Sequence, residues 1–279
     1  MSSNIGHFHS TCKGNPLTLV VRFLLVSLNI DAILEEVTIY NRREKLEEMT
    51  KGKGLGDAYT ATLTRIQSQN GSKSRLGMEA LMWISHSERP LKALELCQAL
   101  GVERGKTDQN ARNIPAIETV LRCSLGLITI EASSSTVRLV HFTLQEHLFD
   151  ASSLFHNPHS MMAETCLTFL NFQCVRDLSV ALDFPPAEYP FVGYASCYWG
   201  IHARKELSQR AKSLALRLLD DYDKHVSSKL FLIHERGWQW HYYTKNGDNA
   251  GEGFTGLHGA AYLNRGDIGL FVGEPGMGC

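Results

Sequence analysis

The chain has 279 residues, of which 43% are hydrophobic, so it can bury a substantial core and is too apolar to be wholly disordered. Its 28 basic and 29 acidic residues give a formal charge of −1, which provides no general attraction to nucleic acid or to an anionic membrane. The seven cysteines are an odd number without a Cys-x-x-Cys pair, which argues against a secreted disulfide framework and predicts a cytoplasmic protein.

The N-terminal part of the chain is predicted to be a disordered end followed by a helix. Residues 1–16 are polar and contain two glycines. A helix is predicted over residues 17–49 and ends at the glycine-rich segment 51–54. Its apolar run, Leu17–Leu28, is interrupted by Arg22 and is shorter than the roughly 20 residues that a membrane-spanning helix needs. No membrane contact is therefore expected.

A second helix completes the helical region predicted for residues 17–69. Over residues 57–69, the side chains of Tyr59, Leu63 and Ile66 recur at helical spacing and fall on one face. We expect this face to be buried.

After a polar linker at residues 69–74, the pattern becomes that of a small mixed domain. Helical periodicity comes first, and then two β-rich runs flank a polar turn. The predicted elements are Arg75–His86, Leu91–Leu100, a helix from Pro115, Leu127–Ile130, Val137–Val140 and Thr143–Phe149. The inward positions expected in the second helix are Leu91, Leu94, Leu96 and Ala99. Three helices followed by a hairpin is the order of a winged-helix domain, which we predict for residues 75–150.

The rest of the chain predicts α-helical hairpins that lead to a truncated ankyrin repeat. Residues 157–236 show helical patterns, broken at Asp183–Pro186, and residues 244–253 are a linker. The segment 255–261 approximates the ankyrin signature T-P-L-H-x-A-A, with Gly in place of Pro. The positions that match and would have a structural role are Thr255, Leu257, His258, Ala260 and Ala261. The fold class predicted for the whole chain is therefore mostly α, with one small β-hairpin.

The charges of the predicted winged helix do not favour DNA binding. A DNA-binding domain has Lys and Arg side chains clustered on one face. The counterpart of a recognition helix, residues 115–123, carries Arg122 and Glu118, with Arg112 just before it and Arg138 in the wing. This mixture of charges argues against nucleic acid as a partner.

No pattern predicts an enzyme or a metal site. The sequence has no G-x-S-x-G nucleophile elbow and no H-E-x-x-H pair. The end of the chain, residues 273–279, resembles the start of a P-loop, but Cys279 stands where the phosphate-binding Lys is required. His7, His9 and Cys12 are too weak a pattern to indicate a metal site. Cys97, Cys123 and the four tryptophans are expected to pack in cores rather than to react or bind ligands.

The segment 139–148 joins the predicted hairpin to the next helix. Thr143 could cap that helix, with Glu146 three residues later as its capping-box partner, and His141 would then be a packed histidine. This structural explanation accounts for most of the segment.

The same segment resembles the end of the winged-helix domain in NACHT-type STAND NTPases, which are related to NOD-like receptors. Residues 22–28 and 55–66 also resemble the helices that end and follow the NACHT core, and Leu76–Ala99 closely resembles the start of the GPI inositol-deacylase winged helix of fungal NACHT–ankyrin proteins. Tyr194, Trp199 and His202 fit the helical region that precedes the ankyrin array there. The resemblance extends over residues 20–265.

The resemblance implies a role for His141 and a regulatory function. In that family the matching histidine reaches bound ADP and holds the resting state, so ATP or ADP would be a ligand of the whole receptor. Since the chain has no NTPase core, the resemblance implies a non-catalytic regulatory and scaffold fragment with protein partners, and no cofactor of its own. The alternatives left open are a stand-alone protein-interaction module and, less favoured, a DNA-binding winged helix.

Overall fold

The computed structural model describes residues 30, 33–34, 36–50, 55–151, 154–180 and 182–236. The chain divides into two compact units, residues 1–65 and residues 66–279. The predicted disordered end at 1–16 and the predicted ankyrin start at 253–279 lie outside the described residues. None of the helices described is long and apolar enough to cross a membrane.

Helix α1 spans Ile39–Thr50 and helix α2 spans Leu55–Gln67. The prediction of one continuous helix over residues 17–49 is wrong, because residues 36–38 are not helical. The hydroxyl of Thr38 accepts a hydrogen bond from the Asn41 N–H at 3.1 Å, so a capping side chain starts a new helix there.

Helix α2 confirms the predicted buried face. Tyr59, Leu63 and Ile66 are all buried. Their shared orientation follows from the 3.6-residue period of the helix.

Helix α3 spans Gly71–His86 and begins earlier than the sequence predicts. The side-chain oxygen of Asn70 accepts a hydrogen bond from the Lys73 N–H at 3.3 Å, as an N-cap does. The predicted linker at 69–74 is therefore wrong over most of its length, since its polar residues form the first helical turn.

Helix α4 spans Ala93–Leu100 and helix α5 spans Ile117–Cys123, with a 3-10 turn at Ala111–Asn113 in the loop between them. The prediction that Leu94 faces inward is wrong, since this residue is 68% exposed. The predicted helix started at Leu91, but the residues before Ala93 are extended. The side of the helix that faces the core therefore differs from the predicted one.

Strands β1 (Ile128–Glu131) and β2 (Thr136–Leu139) form an antiparallel hairpin, as predicted. Ile128 lies opposite Leu139. The extended segment before α4 adds to the free edge of β2, because the Val137 N–H donates to the Leu91 carbonyl oxygen at 2.8 Å. The predicted order of three helices followed by a hairpin is confirmed.

Helix α6 (Phe142–Asp150) follows the hairpin, and the helical region follows α6. Its elements are α7 Pro158–Leu170, α8 Gln173–Arg176, α9 Phe191–Lys205, α10 Gln209–Asp220, a 3-10 turn Tyr222–Lys224 and α11 Val226–Arg236. Helix α9 packs on α7 and α11, and α10 packs on α7. The described residues therefore have the predicted fold class, mostly α with one small antiparallel sheet.

The three-helix-and-hairpin part and the helical region share one core within residues 66–279. The ring of Trp83 on α3 makes edge-to-face contacts with Phe191, at 5.5 Å between centroids, and with Tyr194, at 6.0 Å. All three side chains are buried. Aromatic contacts of this kind stabilise a core beyond the area that they bury.

Candidate functional site

His141 lies between the end of β2 and the start of α6, and it is the N-cap of that helix. Its Nδ1 accepts a hydrogen bond from the Thr143 N–H at 3.4 Å and lies 2.8 Å from the Thr143 hydroxyl oxygen. The prediction that Thr143 caps α6 is wrong, because Thr143 is already inside the helix and the imidazole takes the capping position.

The cap determines which nitrogen of His141 carries the proton. Since a backbone N–H donates to Nδ1, the neutral ring must carry its hydrogen on Nε2. None of the hydrogen bonds among the described residues involves Nε2. The ring therefore presents a donor for a further acceptor.

The half-exposed His141 lines a groove of about 460 Å³ between the end of α3, strand β2 and the start of α6. We call it the His141 groove. Its other polar lining residues are Ser87, Glu88, Arg89, Arg138 and Gln145, and the aromatic side chain of Phe142 is 61% exposed at its edge. The groove thus combines a histidine donor with two guanidinium groups.

Both arginines of the His141 groove already have carboxylate partners. Arg89 donates two hydrogen bonds to Glu95, at 2.8 and 2.7 Å. Arg138 pairs with Glu131 at 2.9 Å, and both side chains of that second pair are largely exposed. The positive and negative charges that a ligand would meet are therefore nearly balanced. The exposed Arg138 is the guanidinium that could more easily leave its carboxylate to bind a ligand.

The described residues that line the His141 groove include few possible nucleophiles. Ser87 supplies the lining's one hydroxyl, and it donates to the Trp83 carbonyl oxygen. No cysteine is among the lining residues given for this groove. The groove can hold an acceptor group, but it offers no activated nucleophile.

The cysteines that were expected to lie in the core are buried and free. Cys97 and Cys123 are 4% and 3% exposed. Burial, with a smaller contribution from the Glu118 carboxylate, raises the pKa of Cys97 to about 11, so this thiol stays protonated at neutral pH. Trp83 and Trp199 are buried as expected, and Trp238 and Trp240 lie outside the described residues.

The counterpart of a recognition helix is short. Helix α5 has seven residues, with Glu118 in its first turn and Arg122 in its last. Arg112 lies in the preceding 3-10 turn, and the wing residue Arg138 is paired with a carboxylate. This arrangement preserves the mixed charge that the sequence indicated.

One group of predicted residues is not described by the structure, and one pair of residues in the groove was not predicted from the sequence. The ankyrin-signature residues Thr255, Leu257, His258, Ala260 and Ala261 lie outside the described residues. The Arg89–Glu95 pair was missed, because a six-residue separation across an extended turn has no periodic signal.

Comparison with protein families gives one match. Residues 64–156 match the model of the GPI inositol-deacylase, winged helix domain. No curated protein and no solved structure matches the chain. The match and the observed order of helices and hairpin agree, so the chain contains a winged-helix domain that includes the predicted range 75–150.

Proposed function

We propose that the chain is a non-catalytic regulatory and scaffold segment of a STAND-type NACHT–ankyrin signalling protein. Its winged-helix domain would couple the nucleotide state of an NTPase core to the interactions of the neighbouring helical region. The observation that carries the proposal is the Nε2–H donor of His141, fixed by the cap of α6 at the edge of a groove. The winged-helix family match supports it.

The chemistry of the His141 groove suits contact with an oxygen anion presented by another domain. An imidazole N–H and a nearby exposed guanidinium, that of Arg138, both donate to phosphate oxygens. The groove is lined by too few basic groups to retain a free nucleotide by itself, since Arg89 is held by Glu95. We expect the chain alone to bind ADP negligibly.

The core of Trp83, Phe191 and Tyr194 supports the coupling role. It joins α3 of the winged helix to α9 of the helical region. A force on the hairpin or on α6 would therefore reach the helical region through packed side chains rather than through a flexible linker.

The experiment is affinity capture of P-loop NTPases by the full chain, with ADP present in one sample and absent in the other. Two variants separate function from folding. His141→Asn keeps a strong N-cap residue but removes the Nε2–H donor, whereas Thr119→Ser changes a side chain away from the groove. We expect an identified P-loop NTPase to be captured in an ADP-dependent manner by the wild type and by Thr119→Ser, but not by His141→Asn.

Capture that is independent of ADP, or unchanged in His141→Asn, would contradict the proposal. So would micromolar ADP binding by the chain alone in a calorimetric titration. Circular dichroism establishes that each variant is folded before capture.

A stand-alone protein-interaction module is the second candidate, and exposed apolar side chains favour it. Leu94, Phe142 and Phe149 are 68%, 61% and 50% exposed. Exposed apolar groups of this size are common at protein interfaces. A defined partner whose binding is lost in Leu94→Ser but is independent of nucleotide and of His141 would favour this function over the first.

DNA binding is the third candidate and is disfavoured by the pairing of Arg138 with Glu131 and by Glu118 on α5. Titration of duplex DNA at low salt decides it, since electrostatic binding is strongest there. We expect no binding. An affinity for duplex DNA that falls steeply with added salt would support DNA binding as the function.

A cytoplasmic location is part of the proposal. Four cysteines of the described residues are free thiols: Cys97, Cys123, Cys166 and Cys174. Free thiols are typical of a reducing compartment. Imaging of a fluorescent fusion tests the location, and secretion into the medium would contradict it.

A further inference from the structure

Three potential metal ligands meet where the loop after α3 faces α7 and α9. The side chains of Glu88, His159 and His202 each place one ligand atom within 4.8 Å of the other two. Glu88 follows α3, His159 lies in the first turn of α7, and His202 lies near the end of α9. The Nδ1 atoms of His159 and His202 are 2.8 Å apart.

The hydroxyl of Tyr194 connects the loop after α3 to His202. The Glu88 N–H donates to the Tyr194 oxygen at 3.1 Å. The same oxygen lies 2.9 Å from His202 Nε2, and the tautomer of His202 determines which of these two atoms donates.

In the tautomer in which His202 Nε2 donates to Tyr194, the neutral ring has a lone pair on Nδ1, directed at His159. His202 is fully buried. Burial, with the neighbouring His159, Lys205 and His86, lowers the pKa of His202 to about 3, and burial also lowers the pKa of His159. A metal ion binds an imidazole through such a nitrogen lone pair.

The contact between His202 Nε2 and Tyr194 is also the outer contact expected of a metal-binding histidine. Such a histidine donates its second ring N–H to an oxygen, which fixes the tautomer and the orientation of the ring. The phenol oxygen of Tyr194, 2.9 Å from Nε2, is placed to accept this hydrogen bond.

The ligand set determines the class of ion. Two imidazole nitrogens and one carboxylate are the three protein ligands of His2Glu sites, in which Zn²⁺ keeps one position for water. With bonds of about 2.0–2.1 Å, tetrahedral geometry places two nitrogens about 3.3 Å apart. The observed 2.8 Å separation would have to widen by a few tenths of an ångström. Small rotations of the half-buried His159 ring can supply this change.

A cavity of about 280 Å³ lies beside the first turn of α7, and Pro158 is one of its lining residues. His86 and Glu206 line this cavity. The His86 ring lies 5.5 Å from the His159 ring, and the Glu206 carboxylate accepts from the Ser160 N–H at 3.0 Å. Open space thus lies next to the residue before His159, and Glu88 itself is exposed to solvent.

We propose that Glu88, His159 and His202 bind a divalent transition-metal ion of the Zn²⁺ class, which clamps the end of α3 to α7 and α9. The ion replaces the proton that His159 Nδ1 shares with His202, and His159 then carries its hydrogen on Nε2. The competing group is Lys205, whose ammonium lies 2.6 Å from a carboxylate oxygen of Glu88. The ion has to displace this contact.

The test is a calorimetric titration of the EDTA-treated full chain with ZnCl₂, repeated with CoCl₂ and visible absorption. We expect one site of micromolar or tighter affinity and the absorption bands of a four- or five-coordinate Co²⁺. Glu88→Gln and His159→Gln should each weaken this site at least tenfold, since each removes one of three ligands.

Two further variants make the result specific. His156→Gln removes an exposed histidine of the same segment and should leave the affinity unchanged, which separates the site from adventitious binding by the 12 histidines of the chain. Lys205→Gln removes the competing ammonium and should tighten binding severalfold. No zinc binding at 100 µM, equal binding by all variants, or weaker binding by Lys205→Gln would each overturn the proposal.

Discussion

The side-chain amide of Gln98 on α4 holds the backbone at the start of α9, because its oxygen accepts the Phe191 N–H at 2.9 Å. Its nitrogen donates to the Glu188 carbonyl oxygen at 3.1 Å and to the Gln109 side chain at 3.0 Å. Gln98 is only 3% exposed, and its bond with the Phe191 N–H is buried. One buried amide thus joins the winged helix to the helical region.

Replacing Gln98 by Leu should destabilise the protein by about 1–3 kcal/mol, because the buried Phe191 N–H would be left without a partner. Urea unfolding followed by tryptophan fluorescence measures the change. The exposed Gln209, in the first turn of α10, provides the control. Equal midpoints for Gln98→Leu and Gln209→Leu would show that the amide bridge contributes nothing.

Gly77 marks the close approach of α3 to the end of α5. A Cβ at this position would lie 2.6 Å from the Cys123 carbonyl oxygen and 3.0 Å from Cγ2 of Ile66. Gly77→Ala should therefore cost about 1–3 kcal/mol in the free energy of unfolding, since the backbone of two helices would have to separate.

Gly71 is the matched control, because it starts the same helix and a Cβ there would meet no atom within 4 Å. Gly71→Ala should be neutral or stabilising by up to about 1 kcal/mol, through a smaller entropy of the unfolded chain. Thermal unfolding of the two variants compares them directly. A lower stability for Gly71→Ala than for Gly77→Ala would contradict the packing argument.

Local signals in the sequence were sufficient to predict the order of the winged helix. The β-rich runs around a polar turn predicted the hairpin, and the helical period predicted the buried face of α2. Errors arose where one side chain bonds to the backbone. Thr38 and Asn70 each start a helix where the pattern predicted continuity or a linker, and His141 takes the cap that was assigned to Thr143.

The sites depend on contacts that no local pattern encodes. His141 was identified by a motif, but the groove beside it is also lined by Arg89, which lies in the loop after α3. Glu88, His159 and His202 come together only because α7 and α9 pack near the end of α3. Ligands separated by dozens of residues, without regular spacing, cannot be grouped from one sequence.

The Arg89–Glu95 pair should contribute more to stability than a surface ion pair. Glu95 is almost buried, accepts two hydrogen bonds from Arg89, and accepts a third from the Lys92 N–H at 2.8 Å. The Arg89 guanidinium also lies 5.3 Å from the centre of the Tyr194 ring. Glu95→Ala leaves a partly buried cation and an uncapped helix start, so we expect a loss of about 2–4 kcal/mol.

The control for this pair is Glu131→Ala, which breaks the exposed pair with Arg138 on the hairpin. The denaturation midpoint should hardly change in that variant, because solvent screens the pair. Arg89→Lys should lose most of the stability that the pair contributes, since an ammonium cannot form the two parallel bonds. A double-mutant cycle with Glu95→Ala measures this coupling energy. If both alanine variants shifted the midpoint equally, the buried pair would have no special role.

His225 makes the stability of the protein depend on pH. The imidazole is 3% exposed, its Nδ1 accepts the Ser227 N–H at 3.1 Å, and its Nε2 donates to the Leu170 carbonyl oxygen at 2.9 Å. Both nitrogens are thus used by the neutral ring. Burial, with a smaller contribution from the Arg176 charge, lowers the pKa of His225 to about 4.

The direction of the effect follows from where the proton binds. Between the ordinary pKa of 6.5 and about 4, the unfolded chain takes up a proton that the folded chain refuses. This contribution to stability is therefore complete above pH 6.5 and falls as the pH falls, by about 3 kcal/mol at pH 4. His225→Gln should flatten that slope, since an amide does not titrate, while the exposed His156→Gln should retain it. Urea unfolding at pH 7, 6, 5 and 4 measures the slope, and equal slopes in all three proteins would contradict the assignment to His225.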